Sequence, residues 1–134
     1  MKLSSKTIMA IKMFIDLGEQ YENGFISLKD IAERKELSKK FLEQIVPAYK
    51  NTGLLLGNRG NQGGYKLAKA PNQIYLNEII YIFENNLAKD NVGYASIDNV
   101  VNKADKLLED YFSKITLAKL IEDQLESYAN SYSI

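Results

Sequence analysis

Arg59 stands inside "GLLLGNRGNQGGYKL", residues 53–67, a stretch that holds five of the chain's eight glycines. A guanidinium on glycine-rich backbone suits an anion, because glycine lets main-chain N–H groups come close and arginine keeps its charge at any physiological pH. A phosphate-cradling loop needs Lys followed by Ser or Thr at a helix entry, and a dinucleotide fingerprint needs G-x-G-x-x-G between a strand and a helix. Here Lys66 lies between Tyr65 and Leu67 in a segment that reads as a returning strand. What remains is a β-hairpin tip with Asn58, Arg59 and Gly60 near its apex. Such a tip fits a DNA minor groove, whose negative potential attracts a guanidinium; the plainer alternative is a flexible turn.

A second set of polar side chains precedes it. Ser38, Lys39, Lys40, Glu43 and Gln44 fall on or near the side of a helix opposite Phe41, Leu42 and Ile45. At the N-terminus of a recognition helix, Gln can pair with adenine, Glu can accept from cytosine N4, and lysines can meet guanine or phosphate. Ser27 and Lys29, at the start of the preceding helix, are placed to reach phosphates through hydroxyl, backbone N–H and ammonium. Lys2 and Ser4 are further backbone-contact candidates, with a frayed terminus as the alternative. An ordinary solvated helix face is the competing reading of the whole set.

The residue types that are missing narrow the chemistry further. The chain has no cysteine and no histidine, which removes disulfides, thiolate nucleophiles, zinc–sulfur sites and the commonest general base. No constellation reads as catalytic, metal-binding or cofactor-binding, so no catalytic residue and no cofactor is expected. Net charge is zero overall, yet residues 1–66 hold 11 Lys/Arg against 7 Asp/Glu (+4) and residues 67–134 hold 6 against 10 (−4). The basic half is the one that carries the candidate DNA contacts. No signal peptide and no apolar run near the ~20 residues needed to span a bilayer are visible. The cytoplasm is the expected compartment, with no membrane partner.

These side chains need elements to position them. Ile8, Ile11, Phe14 and Ile15, widened by Met13 and Leu17, predict a first helix over 5–17 ending near Gly18. Ser27 before "LKDIAERK" predicts a second over 28–35, and Ser38 caps a third that ends at Gly53 with a bend in the turn before Pro47. "LLLG" and "GYKLA" are the strands of a hairpin that Pro71 closes. Two short helices and a hairpin in this order make a winged helix-turn-helix. "YLNEIIYIFEN" follows as a short helix with Leu76, Ile79, Ile80 and Phe83 on one face, and 85–96 reads as a loop.

Ile97, Val100, Ala104, Leu107 and Tyr111 then recur at alternating steps of three and four, flanked by Val101, Leu108 and Ile115. They predict a long helix over about 97–113, roughly 24 Å long. Its apolar face fits either its own domain or a second copy of the chain, and homodimerisation is the reading taken. Thr116 caps a last helix, leaving a Tyr/Ser-rich tail. The expected fold class is mainly α with a small β-hairpin wing: residues 1–75 a winged helix-turn-helix DNA-binding domain, residues 76–134 a helical dimerisation region. The expected activity is non-enzymatic, a regulator that binds double-stranded DNA. The alternative is an interaction adaptor that keeps the winged fold without binding DNA.

Over "LSKKFLEQIVPAYKNTGLLLGNRGNQGGYKLAKAP" the chain resembles the Rrf2 family of bacterial transcription regulators. The matching pieces are Phe41-Leu42-Glu43-Gln44, Gly53-Leu54, Arg59-Gly60, Gly63-Gly64-Tyr65, Leu67-Ala68 and Pro71, with "MKLSSK" at the start and Thr116-Leu117 later. The resemblance implies a homodimer joined by the long helix and bound to a palindromic promoter element, as a repressor. Family members commonly sense iron–sulfur status, nitric oxide or redox state through three cysteines between the fourth helix and the dimer helix. Here that region, "NNLAKDNVGYASIDNVVNKAD", has none. The chain is therefore more similar to the cluster-free branch that includes repressors of cysteine metabolism, which implies a partner enzyme such as cysteine synthase.

Without thiolates or imidazoles the available metal ligands are oxygens, which suit magnesium or calcium better than an iron–sulfur cluster. Protein prepared anaerobically with excess iron should therefore show no visible absorption from a stoichiometric cluster, and should bind DNA no better than metal-free protein. A cluster band at one equivalent per chain would overturn this expectation.

Overall fold

The computed structural model describes residues 2–60, 63–88 and 90–132. Asn61 and Gln62 of the expected hairpin tip, and Ser133 and Ile134 of the expected tail, lie outside the described residues. The chain is mainly helical with one two-stranded antiparallel hairpin. Helix α1 spans Ser5–Glu19, α2 Leu28–Lys35 and α3 Lys39–Ile45. Strands β1, Leu55–Asn58, and β2, Gly64–Leu67, form the wing, with Leu55 opposite Leu67 and Asn58 opposite Gly64. Helix α4 covers Leu76–Ile80, α5 Ala95–Phe112 and α6 Leu117–Tyr132.

Side-chain caps set the helix starts. The hydroxyls of Ser4, Ser27 and Ser38 accept from the N–H groups of Thr7, Asp30 and Phe41, which a helix N-terminus otherwise leaves unpaired. Between α2 and α3 the chain turns at Glu36, held at φ 55° and ψ 49°, while the Leu37 N–H bonds back to the Ala32 carbonyl at 2.9 Å. The α-helical part of the third segment stops at Ile45, and Val46–Tyr49 continue as a 3-10 turn. Pro47 has no N–H to give an α-helical bond, and the α-helical pattern gives way to the 3-10 turn just before it, so the helix does not continue to Gly53.

The core gathers Ala10, Met13, Phe14 and Leu17 of α1 with Ile31, Leu42, Ile45, Tyr49, Leu54 and Leu67, then Ile74, Ile79 and Leu117 from beyond the wing. Phe14 and Phe83 meet the Tyr49 ring edge to face, at centroid distances of 5.1 and 5.7 Å. The Tyr49 hydroxyl donates to the Ile79 carbonyl at 2.8 Å. Burial pushes that phenol well above its ordinary range.

Several sequence expectations need correction. On α1 the buried stripe is Ala10, Met13, Phe14 and Leu17, whereas Ile8 is exposed and Ile11 and Ile15 are half-buried. The helix ends at Glu19, next to the expected Gly18, and that glycine is where Ile121 of α6 comes close, so that a Cβ there would meet it. On α6, residues expected as a Tyr/Ser-rich tail remain helical through Tyr132. Thr116 does cap that helix, accepting from Lys119 N–H at 3.1 Å.

Two backbone ties were not visible in the sequence. Ile26, just before α2, pairs with Tyr65 of β2 through reciprocal N–H to carbonyl bonds of 2.8 Å. Tyr75 and Thr116 form a second isolated bridge: Leu76 N–H donates to the Ile115 carbonyl and Leu117 N–H to the Ile74 carbonyl, each at 2.8 Å. The second tie brings the chain back to α4 after α5, so that α6 packs on α1 while α5 touches the rest mainly through α4.

A Cβ at Gly64 would overlap the Ile26 carbonyl. Gly64→Ala is accordingly expected to lower stability by about 1–3 kcal/mol through overpacking and loss of the adjoining hydrogen bonds. The Tyr65 amide should exchange with solvent faster as the wing detaches. Unchanged denaturation and unchanged exchange at Tyr65 would contradict the tie.

Candidate nucleic-acid interface

The α2–turn–α3 unit presents its polar side outward. Leu42 and Ile45 are buried and Phe41 half-buried, whereas Lys39, Lys40, Glu43 and Gln44 are exposed. Lys39 and Glu43 approach to 3.8 Å, one turn apart, with more than half of each side chain in solvent. That pair is too loose and too wet to fix either group, and contributes a few tenths of a kcal/mol. Both remain available to a ligand.

Ser27 and Ser38 occupy the N-caps of α2 and α3, so each hydroxyl oxygen is already accepting from its own helix. Their O–H groups still have a proton to donate. Lys29, in the first turn of α2, is exposed. Since Ser27 follows Ile26 directly, the bridge to Tyr65 places the root of the wing beside the start of α2.

Asn58 ends β1, and Asn58, Arg59 and Gly60 are all exposed. Gly60 has φ 133°, a value open to glycine, and its carbonyl accepts from the Gly63 N–H at 2.9 Å. Arg59 has no ion-pair partner among the described residues. Its charge is therefore uncompensated at the tip.

The N-terminal candidates lie elsewhere. The Ser4 N–H donates to Glu84 Oε1 at 2.8 Å and its hydroxyl caps α1, while Thr7 donates to the same carboxylate oxygen at 2.5 Å. These bonds hold the Glu84 carboxyl below its ordinary range. Ser4 is thus tied to the segment after α4, with its amide already occupied; Lys2 is exposed.

Two further features of the wing lie outside the residues that the sequence singles out. The Lys66 ammonium sits 4.7 Å from the centroid of the Phe25 ring, and Leu56, its partner across the hairpin, is 46% exposed. The period-two alternation of a strand, Leu55 inward and Leu56 outward, is the signal that points to the second.

Along α5, Ile97 is 50%, Val100 69%, Leu107 61% and Tyr111 62% exposed. Val101, Ala104 and Leu108 are half-buried. The seven positions expected on one face thus separate into an uncovered stripe and a flank nearer the chain. In the middle of this helix the buried Asp105 carboxylate accepts from the N–H groups of Leu87 and Ala88, at 2.6 and 2.9 Å. It pins the preceding loop to α5.

A model of the Rrf2 family, described as an iron-dependent transcriptional regulator, matches residues 3–123. The regulator CymR of Bacillus subtilis is 38% identical over 84 residues, which cover 63% of this chain and 61% of that protein's length. Among solved structures, an IscR from T. potens superposes with a TM-score of 0.79 at 35% identity, covering 95% of this chain and 90% of that one. The structure of CymR, the global cysteine regulator of B. subtilis, gives 0.78 at 28% identity, over 91% of this chain and 97% of that one. The donor set does not fit the iron–sulfur cluster that such a family implies. The chain has no cysteine or histidine, and among the described residues no three carboxylates gather where they could hold a metal ion.

Proposed function

The chain belongs to the Rrf2 family of transcriptional regulators, and from that premise we propose that it is a cluster-free repressor that binds a palindromic DNA operator as a homodimer. The observation that carries this reading is the uncompensated Arg59 at the tip of a wing whose root is hydrogen-bonded beside the start of α2. Residues 1–75 act as the DNA-binding region and residues 76–134 as the dimerisation region. Lys39, Lys40, Glu43 and Gln44 meet base edges and phosphates in the major groove, Ser27 and Lys29 meet phosphates, and Lys2 and Ser4 lie nearer the backbone. Asn58, Arg59 and Gly60 enter the minor groove. A partner enzyme such as cysteine synthase rests on the family resemblance alone.

A second copy is the occupant proposed for α5. Its exposed Ile97, Val100, Leu107 and Tyr111, with half-buried Ala104 between them, repeat at steps of three and four, the seam that lets two helices interlock, and a two-fold dimer presents two reading heads to a two-fold operator. No helix among the described residues is long and apolar enough to cross a membrane.

Operators selected from a random duplex pool provide the first test. Arg59→Ala should weaken binding by about 1–3 kcal/mol, most strongly where A·T pairs flank the half-sites and narrow the minor groove. Equal loss on A·T- and G·C-flanked operators would reduce Arg59 to a phosphate contact. Failure of the wild-type chain to select any sequence would favour the adaptor alternative.

Leu107→Glu tests the dimer separately. Because Leu107 is largely exposed in one chain, a charge there should leave the helical circular dichroism intact while light scattering shows monomers. A dimer mass unchanged by the substitution would remove α5 from the interface.

A further inference from the structure

Two adjoining hollows open beside α1, of about 360 and 330 Å3, and Lys12 and Glu36 line both. The first is polar, with Arg34, Lys35, Gln124 and Tyr128 on its wall. The second is walled chiefly by Leu3, Ile8, Met9 and Leu37.

The charges of the polar hollow are not equivalent. Arg34 grips the buried carboxylate of Asp16 through two bonds of 2.8 and 2.9 Å, an interaction that raises its pKa, and Lys35 donates to Glu19 at 2.5 Å. Lys12 and Glu36 have no ion-pair partner among the described residues, and they are not paired with each other. Both side chains are exposed, so one cation and one carboxylate stand on a shared wall open to a ligand. A ligand that pairs with both is itself dipolar, with a carboxylate for Lys12 and an ammonium for Glu36.

From this arrangement we propose that the paired hollows bind a free α-amino acid with an apolar side chain. The charged head sits in the polar hollow, where Lys12 and Glu36 take its carboxylate and ammonium; the side chain enters the neighbouring one, against Ile8, Met9 and Leu37. A volume of about 330 Å3 is ample for a leucine- or methionine-sized group.

Glu36 is the sole non-glycine residue with positive φ among the described residues, the left-handed cap that ends α2. It lies two positions before Ser38, the cap of α3, so a ligand anchored on it acts at the corner that sets the angle between α2 and α3. Gln124 and Tyr128 carry the same site onto α6. The regulatory consequence, a change in operator affinity when the amino acid binds, rests on the DNA-binding reading above.

Calorimetric titration of the full chain with L-leucine and L-methionine tests the site without DNA, so its failure is distinguishable from failure of the regulator reading. Saturable binding at one ligand per chain is expected. Two analogues that each lack one charged group, 4-methylpentanoate without the ammonium and 3-methylbutylamine without the carboxylate, should bind roughly ten- to a hundred-fold more weakly, the loss of one charge-assisted hydrogen bond. Lys12→Ala and Glu36→Gln should weaken leucine to a similar extent. Glu36→Gly keeps the left-handed turn while removing the carboxylate, and should do the same. No saturable binding of either amino acid, equal binding of either analogue, or undiminished binding by the folded Lys12→Ala and Glu36→Gly proteins would overturn the assignment.

Discussion

The reciprocal hydrogen bonds between Ile26 and Tyr65 fix the relation on which the candidate interface depends. A two-stranded hairpin is only marginally stable in water by itself. Pairing its second strand with the residue that precedes α2 gives it a third, short strand of support, and gives the helix-turn-helix a fixed neighbour. Gly64 makes the approach feasible, because no side chain stands between the Ile26 carbonyl and β2. The wing is thereby oriented by the main chain, while Arg59 near its tip is exposed.

Beneath that tie, α1 is the element against which the others are aligned. Its apolar side receives Tyr49, which bridges Phe14 and Phe83 and closes its hydroxyl on the α4 carbonyl of Ile79. Its Asp16 carboxylate, only 1% exposed, is held by Arg34 of α2. Burying a carboxylate costs several kcal/mol unless it is paired and hydrogen-bonded, so this contact adds specificity to the α1–α2 packing more than net stability. The fork geometry of the guanidinium accepts one arrangement of the two helices and penalises its neighbours.

The second backbone tie explains why one long helix is left uncovered. With Tyr75 and Thr116 bridged, the ends of the α5 excursion are held together at α4, and α6 returns to α1 across Gly18. The apolar residues of α6 nearest that contact, Leu117, Leu120 and Ile121, join or pack against the core. Those of α5 have no such surface. Asp105 uses the inner side of the helix to secure the loop before it, and the outer side faces solvent with Ile97, Val100, Leu107 and Tyr111.

What the sequence determined by itself were features decided within a few residues of each other. Ser27 and Ser38 announce helix starts because a cap acts across three residues, Pro47 announces an interruption of the α-helical pattern because it lacks one N–H, and the glycine-rich run announces a wing because few other residues tolerate such a tip. The 97–111 periodicity gave the long helix within two residues at its start, and the mainly helical winged fold followed from the order of elements. Only the tertiary structure decided which face of α1 is buried, since Ile8, Ile11 and Ile15 are as apolar as Met13, Phe14 and Leu17, and the choice depends on where α3, α4 and α6 arrive. It also decided that Asp16 is buried against Arg34, that Ile26 acts as a strand, that Asp105 holds a loop, and that Ser4 spends its amide on Glu84. Each of these joins residues at least 17 positions apart, and a local pattern carries no information about partners that only chain folding brings together.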